Sequence, residues 1–408
     1  MATKESTTQE GKMNDWQISG CPVCGSNDVE DFFHVPSIPV DAGACFQKQE
    51  DALRAPCGSI NLAICNDCGY IGNRTFEYSR ISFGTTYDIS LDHSPVYQAF
   101  ERDTVARLAE MHNLQHKSIL EIGCGPAHFL QLLCEAGGNS GVGIDPSVPR
   151  EGTEPCGSGN LTLIRELYSD KHANFQADLV CCRQMFCLIS DPLGFLKMVR
   201  RNIGENHDTA VYFEVPSAEY QYDGPIQWNV FFEHASVFHE TSLRRIFANA
   251  GFIVRDCQPC YVDDQYIYVD AVPDPECYER ESREPPADPL FLEKIRSFSE
   301  RYGNAVVYWQ QKLKELAEAG TRVAGWGAGG RGVFFMNMFD TRNLIPCIVD
   351  INPKRQGAYL AGTGQKIVAP EYLCDYQPDV ILVTHSTYVE EITSHIEKMG
   401  LKSKVLAI

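Results

Sequence analysis

The sequence predicts an α/β protein in which two separate parallel-sheet units follow a small cysteine-rich module. Three observations carry that prediction. Residues 118–130 read as a buried strand, a glycine turn and a helix start, and a second strand ending in Asp145 comes about twenty residues later. Residues 322–332 repeat the strand, glycine loop and helix start, and residues 345–350 supply a next strand ending in Asp350. Two C-x-x-C-G motifs stand ahead of both units.

Composition sets the bounds. The chain has 408 residues, enough for two or three domains with real cores, and its 44% hydrophobic content marks it as globular. The formal net charge of −19 argues against a nucleic-acid partner, because phosphate binding needs a basic surface. No apolar run reaches the length of a bilayer span and no signal peptide is visible, so a cytoplasmic location and no membrane partner are expected. The 17 cysteines then read as thiols and metal ligands rather than disulfides.

The elements follow in order. Residues 1–15 are polar and expected to be a mobile tail. Residues 16–80 are expected to form a metal-organised module. Cys21, Cys24, Cys65 and Cys68 place two thiolates on each of two tight turns, and four thiolates complete a closed tetrahedral Zn²⁺ site of the structural kind. A third pair, Cys257 and Cys260, lacks a partner pair and is expected to be buried or surface thiols.

Residues 81–272 alternate between strands and helices, which implies a mainly parallel sheet covered by helices. A helix over 99–111 leads into the first strand, an acid opens a strand at Asp178, another strand ends at Pro216, and a helix over 243–250 stops at Gly251. Residues 273–289 hold five prolines and read as a linker. Residues 290–319 are expected to form one long helix, and the second glycine-loop unit completes the chain.

The first glycine loop and its acid together resemble the cofactor site of a class I S-adenosylmethionine (SAM) methyltransferase. Gly123 and Gly125 let the backbone turn sharply and approach a ligand. Asp145 and Pro146 end the second strand, where an acid can accept both ribose hydroxyls. Glu121 can meet the amino-acid end of SAM, Glu166 lies where an adenine-contacting segment belongs, and Arg183 follows the fourth strand toward the methionine end. His128 stands where the third glycine of a dinucleotide fingerprint would be, which disfavours a pyrophosphate ligand there, and is expected on the helix surface. In the second unit Gly325, Gly327 and Gly330 do match G-x-G-x-x-G. That loop suits NAD, the diphosphate of a sugar nucleotide, or merely a tight turn.

The order of the parts resembles the sugar C-methyltransferases that act on nucleotide-linked deoxysugars: zinc module, class I methyltransferase sheet, long helix, and a second Rossmann-like domain. The resemblance covers nearly the whole chain from Cys21. The most specific segments are Gly325-Trp326-Gly327-Ala328, Asp350-Ile351-Asn352-Pro353-Lys354, Pro370-Glu371 and Pro378-Asp379. It implies C-methylation next to a ketone, with a base removing the acidified proton and the enolate attacking the methyl of SAM. The family's base lies in a Tyr-His-Glu-His stretch. Phe231-Phe232-Glu233-His234 occupies that stretch, so the resemblance assigns the base to His234 with Glu233 orienting it, and His239 is the nearby competitor. Tyr87, Asp88, Ser90 and His93 fall where the family keeps a lid.

Three departures fall at the acceptor. Phe231 and Phe232 replace Tyr and His, Leu188 replaces a histidine, and residues 261–268 replace a glycine-rich element. Alternatives therefore stay open: methylation of nitrogen, oxygen or sulfur on another small metabolite, a catalytically silent binding protein, or an NAD-dependent oxidoreductase.

Overall fold

The computed structural model describes residues 20–81, 91–224, 226–276, 284–339 and 341–408. The tail over 1–15 and Tyr87, Asp88 and Ser90 lie outside the described residues.

Strands β1 (Val29–Pro39), β2 (Cys57–Cys65) and β3 (Ile71–Asn73) form an antiparallel sheet. The central sheet uses β4 (Ser118–Ile122), β5 (Ser140–Ile144), β6 (Gly152–Cys156), β7 (Gly159–Ile164), β8 (Leu179–Arg183) and β9 (Ala210–Pro216). The chain then returns to the first sheet with β10 (Ser236–Val237), which pairs with β3. The amino-terminal module thus borrows its fourth strand from the middle of the chain. Strands β11 (Phe252–Cys260) and β12 (Tyr266–Pro273) finish the central sheet.

The central order is β11-β12-β9-β8-β4-β5-β7-β6. Strands β9, β8, β4, β5 and β7 run parallel, β12 is antiparallel to both its neighbours, and β6 forms an antiparallel edge hairpin with β7. This is the expected class I methyltransferase sheet. All five residues of β8 and all seven of β9 are buried, because helices cover both faces of a parallel sheet and leave no polar side to alternate with.

The last sheet is wholly parallel. It joins β13 (Val323–Trp326), β14 (Cys347–Val349), β15 (Lys366–Val368), β16 (Val380–Val383) and β17 (Lys404–Ala407) in the order β15-β14-β13-β16-β17. It is the expected second Rossmann-like unit.

One expectation is corrected. The single helix over 290–319 is two helices, Pro289–Arg296 and Phe298–Glu318. Ser297 sits at the break, where its hydroxyl donates to the Lys294 carbonyl and competes with the helical ladder. Cys257 and Cys260 lie along β11, where residues three apart point to opposite faces, and both are free thiols, Cys257 buried and Cys260 half-buried.

The largest apolar core lies between the parts rather than within one. Phe32, Phe33 and Val35 of β1 pack with Trp228, Phe298 and Phe335, and edge-to-face rings such as Phe33 against Phe298 at 4.9 Å lock the amino-terminal sheet to the last domain. Bridges also close the other side: Tyr261 meets Tyr388 at 2.7 Å, and Gln265 donates to Thr387 at 2.6 Å. Both parallel sheets therefore aim their carboxyl ends at one shared space, the place where open α/β sheets bind ligands. Among the described residues, no helix is long and apolar enough to cross a membrane.

Candidate active site

One cavity of about 1500 Å³ opens at the carboxyl ends of both parallel sheets. Glu121, Gly123, Gly125, Asp145, Pro146, Glu166 and Arg183 line it from the central sheet. Gly327, Gly330 and Arg331 line it from the last domain, and Phe231, Glu233 and His234 from the segment before β10. Tyr78 and His93 also reach it.

The first glycine loop is built around Asp145. Gly123 N–H donates to the Ile144 carbonyl at 2.9 Å, and Gly125 N–H donates to Asp145 Oδ2 at 3.0 Å. Ser147 donates to Oδ1 through its N–H, at 2.6 Å. Gly125 has φ +52° and nothing within 4 Å of where a Cβ would stand, so its backbone faces open space. Behind the loop Glu121 is buried, its Oε2 has no hydrogen-bond partner, and burial pushes its carboxyl up to about 8 despite the opposing pull of Arg183.

Arg183 is the electrostatic hub of this wall. Its guanidinium donates to Glu101 at 3.0 Å, to Glu214 at 3.3 Å and to Tyr97 at 3.2 Å, and it lies 3.9 Å over the Phe129 ring. Its Nε has no partner. Glu101 also receives His128 Nδ1 at 3.0 Å, so His128 belongs to the cavity wall and not to a plain helix surface. The Glu101 contact raises the His128 imidazole above its ordinary value, against the opposing effect of burial. Glu166 stands at the rim, paired with Lys171 and 3.3 Å from His172, and the Lys171 contact holds its carboxyl down.

The acceptor side differs from the expected arrangement. Glu233 does not orient His234. Its carboxylate accepts from Ala42 N–H at 2.8 Å and faces Asp41, and burial beside that second carboxyl pushes it up to about 8. The partner of His234 Nδ1 is the Gln221 amide, at 3.0 Å. Burial pushes the His234 imidazole down to about 4, so it is neutral at pH 7. The competitor His239 caps the helix Glu240–Asn249 and stacks on Phe291 at 4.2 Å. Tyr87 cannot be placed, since it lies outside the described residues.

The second glycine loop repeats the first. Gly327 N–H donates to the Val349 carbonyl at 2.8 Å, Ala328 N–H to Asp350 Oδ2 at 2.9 Å, and Asn352 N–H to Asp350 Oδ1 at 2.9 Å. Its fingerprint glycines have internal reasons to be small. A Cβ on Gly325 would stand 2.9 Å from Met336, one on Gly327 2.3 Å from Thr384 Oγ1, and one on Gly330 2.6 Å from the Phe231 ring. Gly325 does not reach the cavity wall. Arg331, Lys354 and Arg355 make this end of the cavity basic, and Arg331 NH1 is buried without a partner.

The four module cysteines converge. Their sulfurs all lie within 4.8 Å of one another, with Cys21–Cys68 and Cys24–Cys65 each at 3.6 Å. A tetrahedron with Zn–S bonds of about 2.3 Å has edges of about 3.8 Å, so the donor set fits that ion.

Sequence reasoning missed Tyr97, Glu101, Gln221, Asn229 and Arg331. Glu101 carried a signal: in Pro95–Met111 the buried residues are Tyr97, Glu101, Thr104, Val105 and Leu108, which puts a carboxylate on the buried stripe of the helix. Asn229 carried none; it is buried, lines the cavity, and neither of its amide atoms has a partner.

Two family models match parts of the chain. Residues 97–256 match the family described as "Methyltransferase domain", and residues 281–404 match the "C-methyltransferase C-terminal domain". No curated protein matches the chain. Among solved structures, the chain is similar to magnesium protoporphyrin IX methyltransferase from Synechocystis PCC 6803 with bound S-adenosylhomocysteine (SAH) (15% identity, 46% of this chain and 89% of that one, TM-score 0.35). It is also similar to a SAM-dependent methyltransferase from Clostridium acetobutylicum (12% identity, 44% and 92%, TM-score 0.31). A third is N,N-8-amino-8-demethyl-D-riboflavin dimethyltransferase from Streptomyces davawensis (14% identity, 43% and 54%, TM-score 0.32). The class I sheet and the two family matches together make the chain a SAM-dependent methyltransferase with a C-methyltransferase C-terminal domain.

Proposed function

We propose that the protein methylates a carbon of a nucleotide-linked keto-deoxysugar. The observation that carries this reading is the single cavity of about 1500 Å³ onto which both glycine loops open. Pockets for one small molecule run to about 300–1,000 Å³, so this one has room for two.

SAM supplies an electrophilic methyl group. Glu121, whose Oε2 is buried without a partner, suits its cationic amino-acid end. Asp145 and Pro146 take the ribose side, Glu166 the adenine side and Arg183 the methionine end. The nucleotide diphosphate lies against the basic end of the cavity, where Gly327, Gly330 and Arg331 open the helix Gly330–Met338 and helix dipole and guanidinium favour an anion. Gly325 supports that loop from behind.

His234 takes the proton from the carbon beside the ketone, and that carbon attacks the methyl group. Neutral at pH 7, His234 is free to accept it. Asn229 offers its amide N–H to the acceptor oxygen, as charge builds there. Phe231 and Leu188 make the pocket more apolar than the family pattern. Zn²⁺ at Cys21, Cys24, Cys65 and Cys68 is structural, and a cytoplasmic location belongs to the same reading.

The test is solvent exchange. In D₂O, with SAH bound, a thymidine-diphosphate 4-keto-6-deoxysugar is expected to take up deuterium at carbon 3, and His234→Asn to abolish uptake. No uptake and no methyl transfer with any keto-sugar would overturn the reading.

A second reading is methylation of nitrogen, oxygen or sulfur in another small metabolite. The Phe231 ring beside His234 favours it, because such acceptors need less oxyanion stabilisation.

A further inference from the structure

His234 has a different neighbour from the one its neighbouring acid suggested. Glu233 spends its carboxylate on Ala42 N–H and Asp41, both from the amino-terminal module. His234 Nδ1 instead lies 3.0 Å from the side-chain amide of Gln221. Gln221 is 4% exposed, lines the same cavity, and its Oε1 has no partner. The Phe231 ring packs edge-on against the imidazole at 4.9 Å and supplies no polar contact. Burial alone shifts the imidazole, with no contribution from a charged neighbour.

An amide can face Nδ1 in two ways. With its N–H on Nδ1, the neutral ring carries its proton on Nε2, which then cannot accept another. With its oxygen on Nδ1, the ring proton sits on Nδ1 and the Nε2 lone pair is free. Turning the amide over exchanges which of its two ends faces the ring, and only the second orientation leaves a lone pair on Nε2.

We propose that Gln221 is the positioning residue of the acceptor site: its Oε1 accepts from His234 Nδ1–H and so keeps Nε2 free to take the acceptor's proton. This rests on the reading of His234 as the base. The acceptor C–H bond breaks as Nε2–H forms. The freed carbon pair makes the new bond to the methyl group, and the old methyl–sulfur pair stays on sulfur. The Nδ1–H···Oε1 bond persists throughout. Because Gln221 is uncharged, it orients the ring without an ion pair that would hold the imidazolium, and the proton passes to solvent after each turnover.

The experiment uses the full chain, zinc-loaded and SAH-bound, with ¹⁵N-labelled histidine, and reads the tautomer of His234 from long-range ¹H–¹⁵N spectra. His234→Asn assigns the signal. Wild type is expected to show the Nδ1–H tautomer. Gln221→Leu, of similar size, is expected to lose that preference, and Gln221→Glu to raise the titration midpoint by more than one pH unit. With the keto-sugar as probe, Gln221→Leu is expected to lower kcat by about 10–100-fold with little change in KM. An Nε2–H tautomer in wild type, or an unchanged tautomer and titration in Gln221→Leu, would overturn the proposal while leaving the base assignment standing. Full activity in His234→Asn would instead sink the base assignment, and the purpose of the contact with it.

Discussion

The two glycine loops share one backbone device and stand in different electrostatic settings. In each, the acid after the second strand accepts from the loop backbone: Asp145 from Gly125 at 3.0 Å, Asp350 from Ala328 at 2.9 Å. In each, a glycine N–H donates to the end of the neighbouring strand. The surroundings differ. The first loop is backed by Glu121, Glu101 and the Arg183 that pairs with Glu101, the second by Asp350 with Arg331, Lys354 and Arg355. A cationic sulfonium ligand suits the first setting and a diphosphate the second. The full glycine fingerprint in the second loop left NAD, a sugar-nucleotide diphosphate and a plain tight turn all open. There its glycines are small because Met336, Thr384 and Phe231 crowd them. A spacing thus reports a tight turn, and the charge around it decides what the turn is for.

The largest expected effect comes from breaking both loops together. The amino-terminal sheet packs on the last domain through Phe32, Phe33 and Val35, and its segment also reaches the cavity at Tyr78. Replacing Cys65 with Ser, or removing the metal with a chelator, is expected to unfold the module and abolish binding at both loops. Metal analysis with circular dichroism checks this, with one zinc per chain before treatment; structural zinc in small modules contributes on the order of 10 kcal/mol.

Next come the acids, which separate the loops. Asp145→Ala removes the support of Gly125 and the carboxylate proposed for the ribose. It is expected to weaken SAM by roughly 100-fold in a calorimetric titration, at about 1.4 kcal/mol per tenfold. Asp350→Ala is expected to leave SAM affinity within about twofold. Equal losses would dissolve the distinction between the loops.

A smaller effect sharpens the charge contrast. Arg331→Ala is expected to cost a nucleoside diphosphate about tenfold in affinity, with SAM unchanged and the loss fading as salt is raised.

The smallest is a proton. Glu121 is held up at about 8 in the folded protein, above its ordinary carboxyl value. The folded state therefore binds more protons than the unfolded one from about pH 4 to pH 8, and this contribution to stability is lost as pH rises through that window. A cation arriving beside Glu121 favours its charged form. SAM binding at pH 7 is then expected to release up to about one proton, seen as a buffer-dependent heat, and Glu121→Gln to remove it. The same proton release in that variant would place the effect elsewhere.

The sequence showed the sheets more fully than the acceptor chemistry. Strands such as 118–122 and 210–216 are apolar because both faces are covered, and the glycine-then-acid order repeats at a fixed distance. Long-range pairing was hidden. Nothing local says that Ser236–Val237 leaves the central sheet to pair with Ile71–Asn73, or that Glu233 reaches back to Ala42. Neighbours in sequence, Glu233 and His234, suggested a dyad. The backbone sends them apart, and Gln221, thirteen positions earlier, takes the place.

The central claim is that one cavity holds a cationic methyl donor at the first loop and a nucleotide at the second. It is tested most directly by titrating the zinc-loaded, SAH-bound protein with thymidine diphosphate in a calorimeter. Micromolar binding is expected, lost in a Gly327→Val variant and kept in Asp145→Ala. No detectable heat, or a loss that follows Asp145 instead, would contradict it.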